Sequence, residues 1–193
     1  MESPPQLDEA AVKVVVIGEP RCGKTRFIRA YYDHHFPDVN YSYNGVRVYP
    51  CKFEATNEMR RVSIFEIPSD PDFLPEERIP NYEEADVIVF MYAIDDPLSL
   101  KMLTEKWILE ANSTIASHRK PVVFVGAKKD LQEDQQVIQR LALEKKSPLT
   151  LQQGRELFDK VPGEAVIVEC SANDLELVEF AFNTIFAIVL MNE

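Results

Sequence analysis

The sequence predicts an α/β fold: a mainly parallel six-stranded sheet with one antiparallel edge strand and helices on both faces. Three observations predict it. β-Branched, apolar runs alternate with segments of helical spacing along most of the chain. A glycine-punctuated loop joins the first such run directly to the first helical segment. The length of 193 residues, 46% of them hydrophobic, suits one well-buried core and is short for two.

Taken in order, residues 1–10 are polar, acidic and proline-bearing and read as a disordered leader, leaving a single domain over 11–193. Residues 12–17 form a β-branched run expected as a buried strand, and 25–32 a helix. Residues 47–53 and 61–67 read as a hairpin around the polar turn Ala55-Thr56-Asn57-Glu58. Residues 68–80 hold Pro68, Pro71, Pro75 and Pro80 and read as irregular. A nearly continuous apolar run, 86–94, predicts a central strand. Residues 98–118 have helical spacing, with Leu100, Leu103, Trp107 and Ile108 on one face, and Trp107 belongs to the core. Strands follow at 121–126 and 165–169, with helices at 137–146 and 150–160 between them. Asn173 is placed to cap a final amphipathic helix.

Composition excludes several classes. A net charge of -11 opposes wholesale binding to nucleic acid or to an anionic bilayer. Cys22, Cys51 and Cys170 are odd in number and widely spaced, so they make neither a disulfide framework nor a metal-ligand pattern, which fits a reducing, cytoplasmic setting. His34 and His35 lack further ligands at metal-binding spacing. The final residues carry no prenylation cysteine, so no direct lipid anchor is expected there.

Gly18-Glu19-Pro20-Arg21-Cys22-Gly23-Lys24-Thr25 matches the phosphate-binding pattern G-x-x-x-x-G-K-[ST], after a strand and before a helix as that pattern requires. Glycines let backbone N–H groups curl around phosphate oxygens, and the helix N-terminus adds its free donors and positive dipole end. Gly18, Arg21, Cys22 and Gly23 form the cradle, Lys24 brings charge toward the β- and γ-phosphates, and Thr25 offers a hydroxyl to Mg²⁺. Pro20 has no N–H to give, and the cation of Arg21 faces either the ligand or solvent.

Two later segments end strands in short polar motifs. Residues 122–130 end a strand with Lys128-Lys129-Asp130, and Glu169-Cys170-Ser171-Ala172 ends the last one. With the phosphate loop, these spacings resemble the Ras-like small GTPases. Phe36-Pro37, Ile94-Asp95-Asp96-Pro97-Leu98-Ser99-Leu100, Lys106-Trp107, Lys128-Lys129-Asp130-Leu131 and an insertion at about 132–148 are similar to the Rho branch. The resemblance covers nearly the whole chain after Ala10. It implies a P-loop G-domain that binds GTP and GDP with Mg²⁺ and meets effectors and regulators through its switch regions and insertion. It also implies that Asp130 accepts from guanine N1 and N2, Lys128 packs its stem along the base, the Ala172 N–H reaches O6 beside Ser171, and Phe36 covers the base or ribose. Read without the resemblance, Asp130 is a turn or cap residue.

The resemblance also shows where this chain departs. Ala127 stands in place of a polar residue that ties the base loop to the phosphate loop, a loss of roughly 0.5–1.5 kcal/mol. Where the family has Asp-x-x-Gly-Gln, this chain has Glu66-Ile67-Pro68-Ser69-Asp70. Glu66 keeps a carboxylate one methylene longer, which suits the strict octahedron of Mg²⁺ poorly. Ser69 replaces a flexible glycine, and Asp70 replaces a water-orienting glutamine with a group that cannot donate. Tyr43 aligns with the switch threonine, whose metal contact a phenol is too long to copy; Ser42 reaches that place only by a register slip. The expected function is an atypical Rho-like small G protein with very slow or absent GTP hydrolysis. The alternative is a pseudo-GTPase interaction module, nucleotide-free or permanently loaded. An ATP-using P-loop kinase is opposed by Asp130 with Ser171-Ala172.

Overall fold

The structure is a computed structural model and describes residues 11–35, 41–43, 45–55 and 58–191. Strand β1 (Val12–Gly18) lies in the middle of the sheet and is almost wholly buried, because the sheet is covered on both faces and neither side of its Val-Val-Val-Ile run meets water. The loop after it leads into α1 (Lys24–His35). Strands β2 (Tyr41–Tyr43), β3 (Val46–Ala55) and β4 (Glu58–Glu66) then pair antiparallel in succession, and β4 returns to lie parallel to β1. On the other side of β1 stand β5 (Val87–Ala93), β6 (Val122–Ala127) and β7 (Ala165–Cys170), all parallel.

Among the described residues the sheet therefore has seven strands, in the order β2-β3-β4-β1-β5-β6-β7, rather than six. The extra strand is the three-residue β2, too short to display the alternation that marks a strand in sequence. The order reverses direction at β1, and such a reversal opens a crevice at the carboxyl ends of the strands.

Two apolar clusters flank the sheet. One packs α1 and α7 (Leu175–Met191) on one face, with Phe27 stacked on Phe182 at 4.6 Å between ring centroids. The other collects Trp107, Tyr82, Ile108 and Ile115 on the opposite face. Residues 68–80 are not irregular throughout: α2 (Pro75–Glu84) begins inside them. Pro75 sits at the start of this helix, where a missing N–H removes nothing, and Glu77 Oε2 accepts from the Leu74 N–H at 2.7 Å.

The helical stretch 98–118 divides into α3 (Pro97–Met102), a π turn (Leu103–Trp107) and α4 (Ile108–His118). The insertion carries α5 (Gln135–Leu143), capped by Asp134, and α6 (Leu151–Arg155) follows with the expected Thr150 cap. Asn173 does not cap α7. Asp174 Oδ1 accepts from the Leu177 N–H at 3.2 Å and takes that place, while Asn173 turns toward Asp130. Among the described residues no helix is long and apolar enough to cross a membrane.

Candidate nucleotide site

The phosphate loop is fixed by close packing beneath it. A Cβ on Gly18 would fall 2.2 Å from the Met91 carbonyl oxygen on β5, so only glycine lets β1 end there. Gly23 has φ +108°, a conformation that aims the start of α1 back at the loop. Arg21 also has positive φ, 65°, which for a side-chain-bearing residue costs about 1 kcal/mol and leaves it at the rim of the cleft. Cys22 is buried beneath the loop, and burial pushes its thiol above the ordinary range, so it packs rather than reacts. From the far side, the fully buried Trp107 donates its indole N–H to Glu19 Oε1 at 2.8 Å and ties the loop to the π turn.

Lys24 is buried, and its ammonium donates to the carbonyls of Gly18 and Glu19 at 2.8 and 3.0 Å and to Ser69 Oγ at 2.9 Å. Its donors are thus taken by protein acceptors, and the lysine and Ser69 lie against a cleft of about 460 Å³ that Pro20, Arg21, Thr25, Arg47, Glu66 and Asp70 also line. Ser69 touches the lysine that a phosphate would engage. Asp70, at the edge of the cleft, is exposed, and its Oδ1 accepts from the Asp72 N–H at 2.9 Å in a local turn. The Tyr43 backbone pairs with Val46 across β2 and β3, and its side chain lies outside the described parts.

Thr25 and Glu66, the two expected metal-side residues, do meet. Thr25 Oγ1 donates to Glu66 Oε1, and Tyr49 donates to Glu66 Oε2 at 2.9 Å. Burial, together with the Glu66 charge, pushes the Tyr49 phenol up to about 12, so it remains a donor across the physiological range. A third group enters here that sequence reading missed. Arg47 Nη1 lies 3.2 Å from Thr25 Oγ1 and 3.3 Å from Glu66 Oε2. This arrangement fits Mg²⁺ poorly: a guanidinium already takes one lone pair of the threonine hydroxyl and pairs with the carboxylate charge, a cation at the place a dication would occupy. Antiparallel pairing sets Arg47 directly across from Glu66, a register that the order of residues alone does not reveal.

The base side is a separate cleft of about 230 Å³ lined by Gly23, Phe27, Ala127, Lys128, Asp130 and Ala172. Asp130 stands on a 3₁₀ turn after β6, and the buried Ser171 donates to its Oδ1 at 2.7 Å. Asn173 donates to Asp130 Oδ2 at 3.1 Å and accepts from Arg26 at 2.5 Å. Lys128 adopts φ 62°, and its ammonium pairs with Asp95 at 2.9 Å, which lays its stem along the cleft wall. The Ala127 methyl is buried near Gly23, where a polar tether would have bridged the two loops. Phe36 lies outside the described residues.

The structure therefore brings the phosphate loop, Asp130, Ser171 and Ala172 to one edge of the sheet, at the carboxyl ends of β1, β6 and β7. A loop built to hold phosphate, flanked by a second pocket that its own Gly23 helps to line and that ends in a carboxylate, defines a P-loop nucleotide-binding protein. Residues 13–191 match the family model described as the Ras family, and the chain belongs to that family. It is a small GTP-binding protein. Members of the family hold GTP or GDP, generally with Mg²⁺, and generally work through protein effectors and regulators.

Proposed function

We propose that this chain is an atypical, Rho-like member that binds guanine nucleotide selectively and hydrolyses GTP very slowly or not at all. The observation that carries the hydrolysis half is the pair Ser69 and Asp70. Ser69 is engaged with Lys24, and Asp70 is held in an exposed turn with Asp72, so neither is free to orient a water in line with a γ-phosphate. A carboxylate at that place also adds negative charge where charge is already accumulating. The guanine half rests on Asp130, whose carboxylate faces the smaller cleft and whose oxygens retain lone pairs beyond the protein bonds they accept.

Signalling would then proceed through protein contacts rather than turnover. The surfaces proposed for it are the segments around β2 and α2 and the insertion at about 132–148, where α5 leaves Leu143 fully exposed at its end. A cytoplasmic setting fits the three buried, unpaired cysteines.

One observation favours a second reading, a nucleotide-free interaction module. The Arg26–Asn173–Asp130 chain of hydrogen bonds already engages one oxygen of the base-reading carboxylate within the protein. Calorimetry with GDP, GTP and ADP separates the readings. The proposal expects GDP and GTP to bind and ADP to fail, and Asp130→Ala to remove the preference. Equal affinity for ADP refutes the base assignment, and no binding by any of the three favours the empty module.

A further inference from the structure

Three cationic groups surround the phosphate cleft: Lys24, Arg21 and Arg47. The first two lie in the loop motif itself. Arg47 comes from the start of β3, a different element, and its contacts are those of a cation at a metal position. It holds the hydroxyl of Thr25 and the carboxylate of Glu66 together at 3.2 and 3.3 Å. Glu66 is buried and also accepts from Thr25 and Tyr49, so its charge is neutralised by a protein group and its lone pairs are largely spent. A dication entering here would displace the guanidinium from both oxygens and then sit beside it, repelled by it.

We propose that Arg47 stands in for the divalent ion, so that this chain holds its nucleotide without a metal. The inference rests on the nucleotide-binding reading above. A guanidinium is permanently charged and presents a planar fork of N–H groups matched to phosphate oxygens. Arg47 has donors to spare: of its five N–H groups, some serve Thr25, Glu66 and Tyr49, and the side chain, which helps to line the cleft, is about half exposed. Lys24 is part of the loop with or without a metal, so Arg47 brings one positive charge where the ion would bring two, and Arg21 at the rim of the same cleft brings a second. Unlike a metal, Arg47 imposes no octahedral geometry on the phosphate oxygens, so it neutralises charge without fixing the alignment that phosphoryl transfer needs. That agrees with a cradle that retains nucleotide and does not cleave it.

The test titrates GDP into the parent protein by calorimetry, once with excess Mg²⁺ and once with excess EDTA. The affinity is expected to agree within about threefold between the two buffers. Arg47→Met, which keeps the apolar stem and removes the charge, is expected to bind at least about tenfold more weakly in EDTA and to become dependent on Mg²⁺. Circular dichroism and thermal melting of the variant establish that it is folded. A second arm titrates Mn²⁺ alone and reads its electron paramagnetic resonance signal: the parent leaves Mn²⁺ free.

If the parent binds GDP with Mg²⁺ and loses about a hundredfold or more in EDTA, nucleotide binding stands and the inference is overturned. The same holds if Arg47→Met binds as tightly as the parent in EDTA. If GDP binds in neither buffer, the nucleotide reading itself falls. The Mn²⁺ arm then decides the cation claim: capture of Mn²⁺ by the parent overturns it, and exclusion by the parent with capture by Arg47→Met supports it.

Discussion

Replacing Glu110 by alanine probes what holds α2, the helix that follows Ser69 and Asp70, against the body of the domain. Arg78 on α2 is 3% exposed at its side chain and Glu110 on α4 is 10% exposed. They form a two-pronged pair, with Nε to Oε1 and Nη2 to Oε2 both at 2.7 Å. Tyr82 donates to Glu110 Oε1 at 2.7 Å, Arg78 also reaches the Phe73 carbonyl, and its guanidinium stacks 5.2 Å from the Trp107 ring centre. Removing the carboxylate leaves a buried guanidinium with no counter-charge, a change that costs about 3–5 kcal/mol. For a domain of this size about 2–4 °C of melting temperature accompanies each kcal/mol, so Glu110→Ala should lower Tm by about 6–20 °C.

Glu110→Gln keeps hydrogen-bonding capacity and should lose less. The pH dependence is a second signature. Burial alone would raise the Glu110 carboxyl, but the hydrogen bonds from Arg78 and Tyr82 and the Arg78 charge outweigh it and hold the group below its ordinary value. A lowered folded-state value means that the stabilisation is complete above the unfolded-state value of about 4.3 and is lost as pH falls through the folded-state value. The gap in Tm between parent and Glu110→Ala should therefore be full at neutral pH and close under acid. Scanning calorimetry from neutral to acid pH measures both, and hydrogen exchange on α2 shows whether that helix loosens first. A variant within about 1 kcal/mol of the parent at neutral pH would refute the reasoning.

Two further outcomes are expected. Lys24→Ala should weaken GDP at least about a hundredfold and lower stability by about 1–3 kcal/mol, because the buried Gly18 carbonyl loses its donor; calorimetric titration and thermal melting check the two halves. Trp107→Phe removes the indole donor to Glu19 and should lower stability by about 2 kcal/mol and weaken GDP as well, read in the same pair of measurements; unchanged affinity would mean that the loop does not depend on this tether.

How much of this was legible in the sequence depends on how local each feature is. The phosphate loop lies in eight consecutive residues, and the strands β1, β5 and β6 are continuous apolar runs, so both were readable without any tertiary information. Helix α2 was hidden by its own prolines: Pro75 opens the helix and Pro80 lies within it, and a count of prolines does not distinguish a first turn from a break. Asn173 and Asp174 are both good caps, and the choice between them was settled by Asp130, distant in sequence, which draws Asn173 away. Arg47 was invisible for the same reason in a stronger form. Nothing beside it in the chain marks it as functional, and it acquires a role only because strand register places it opposite Glu66.

Single-turnover hydrolysis of γ-labelled GTP tests the central claim most directly. The parent protein is loaded, excess nucleotide is removed, and released phosphate is followed with and without a Rho-family activating domain. The account predicts bound GTP that stays intact, well below the intrinsic rate of about 3–5 × 10⁻⁴ s⁻¹ known for an ordinary small GTPase, with no acceleration by the activating domain. It also predicts that Ser69→Gly combined with Asp70→Gln gains measurable turnover. Phosphate release by the parent at the ordinary intrinsic rate, or its strong acceleration by the activating domain, would contradict the account.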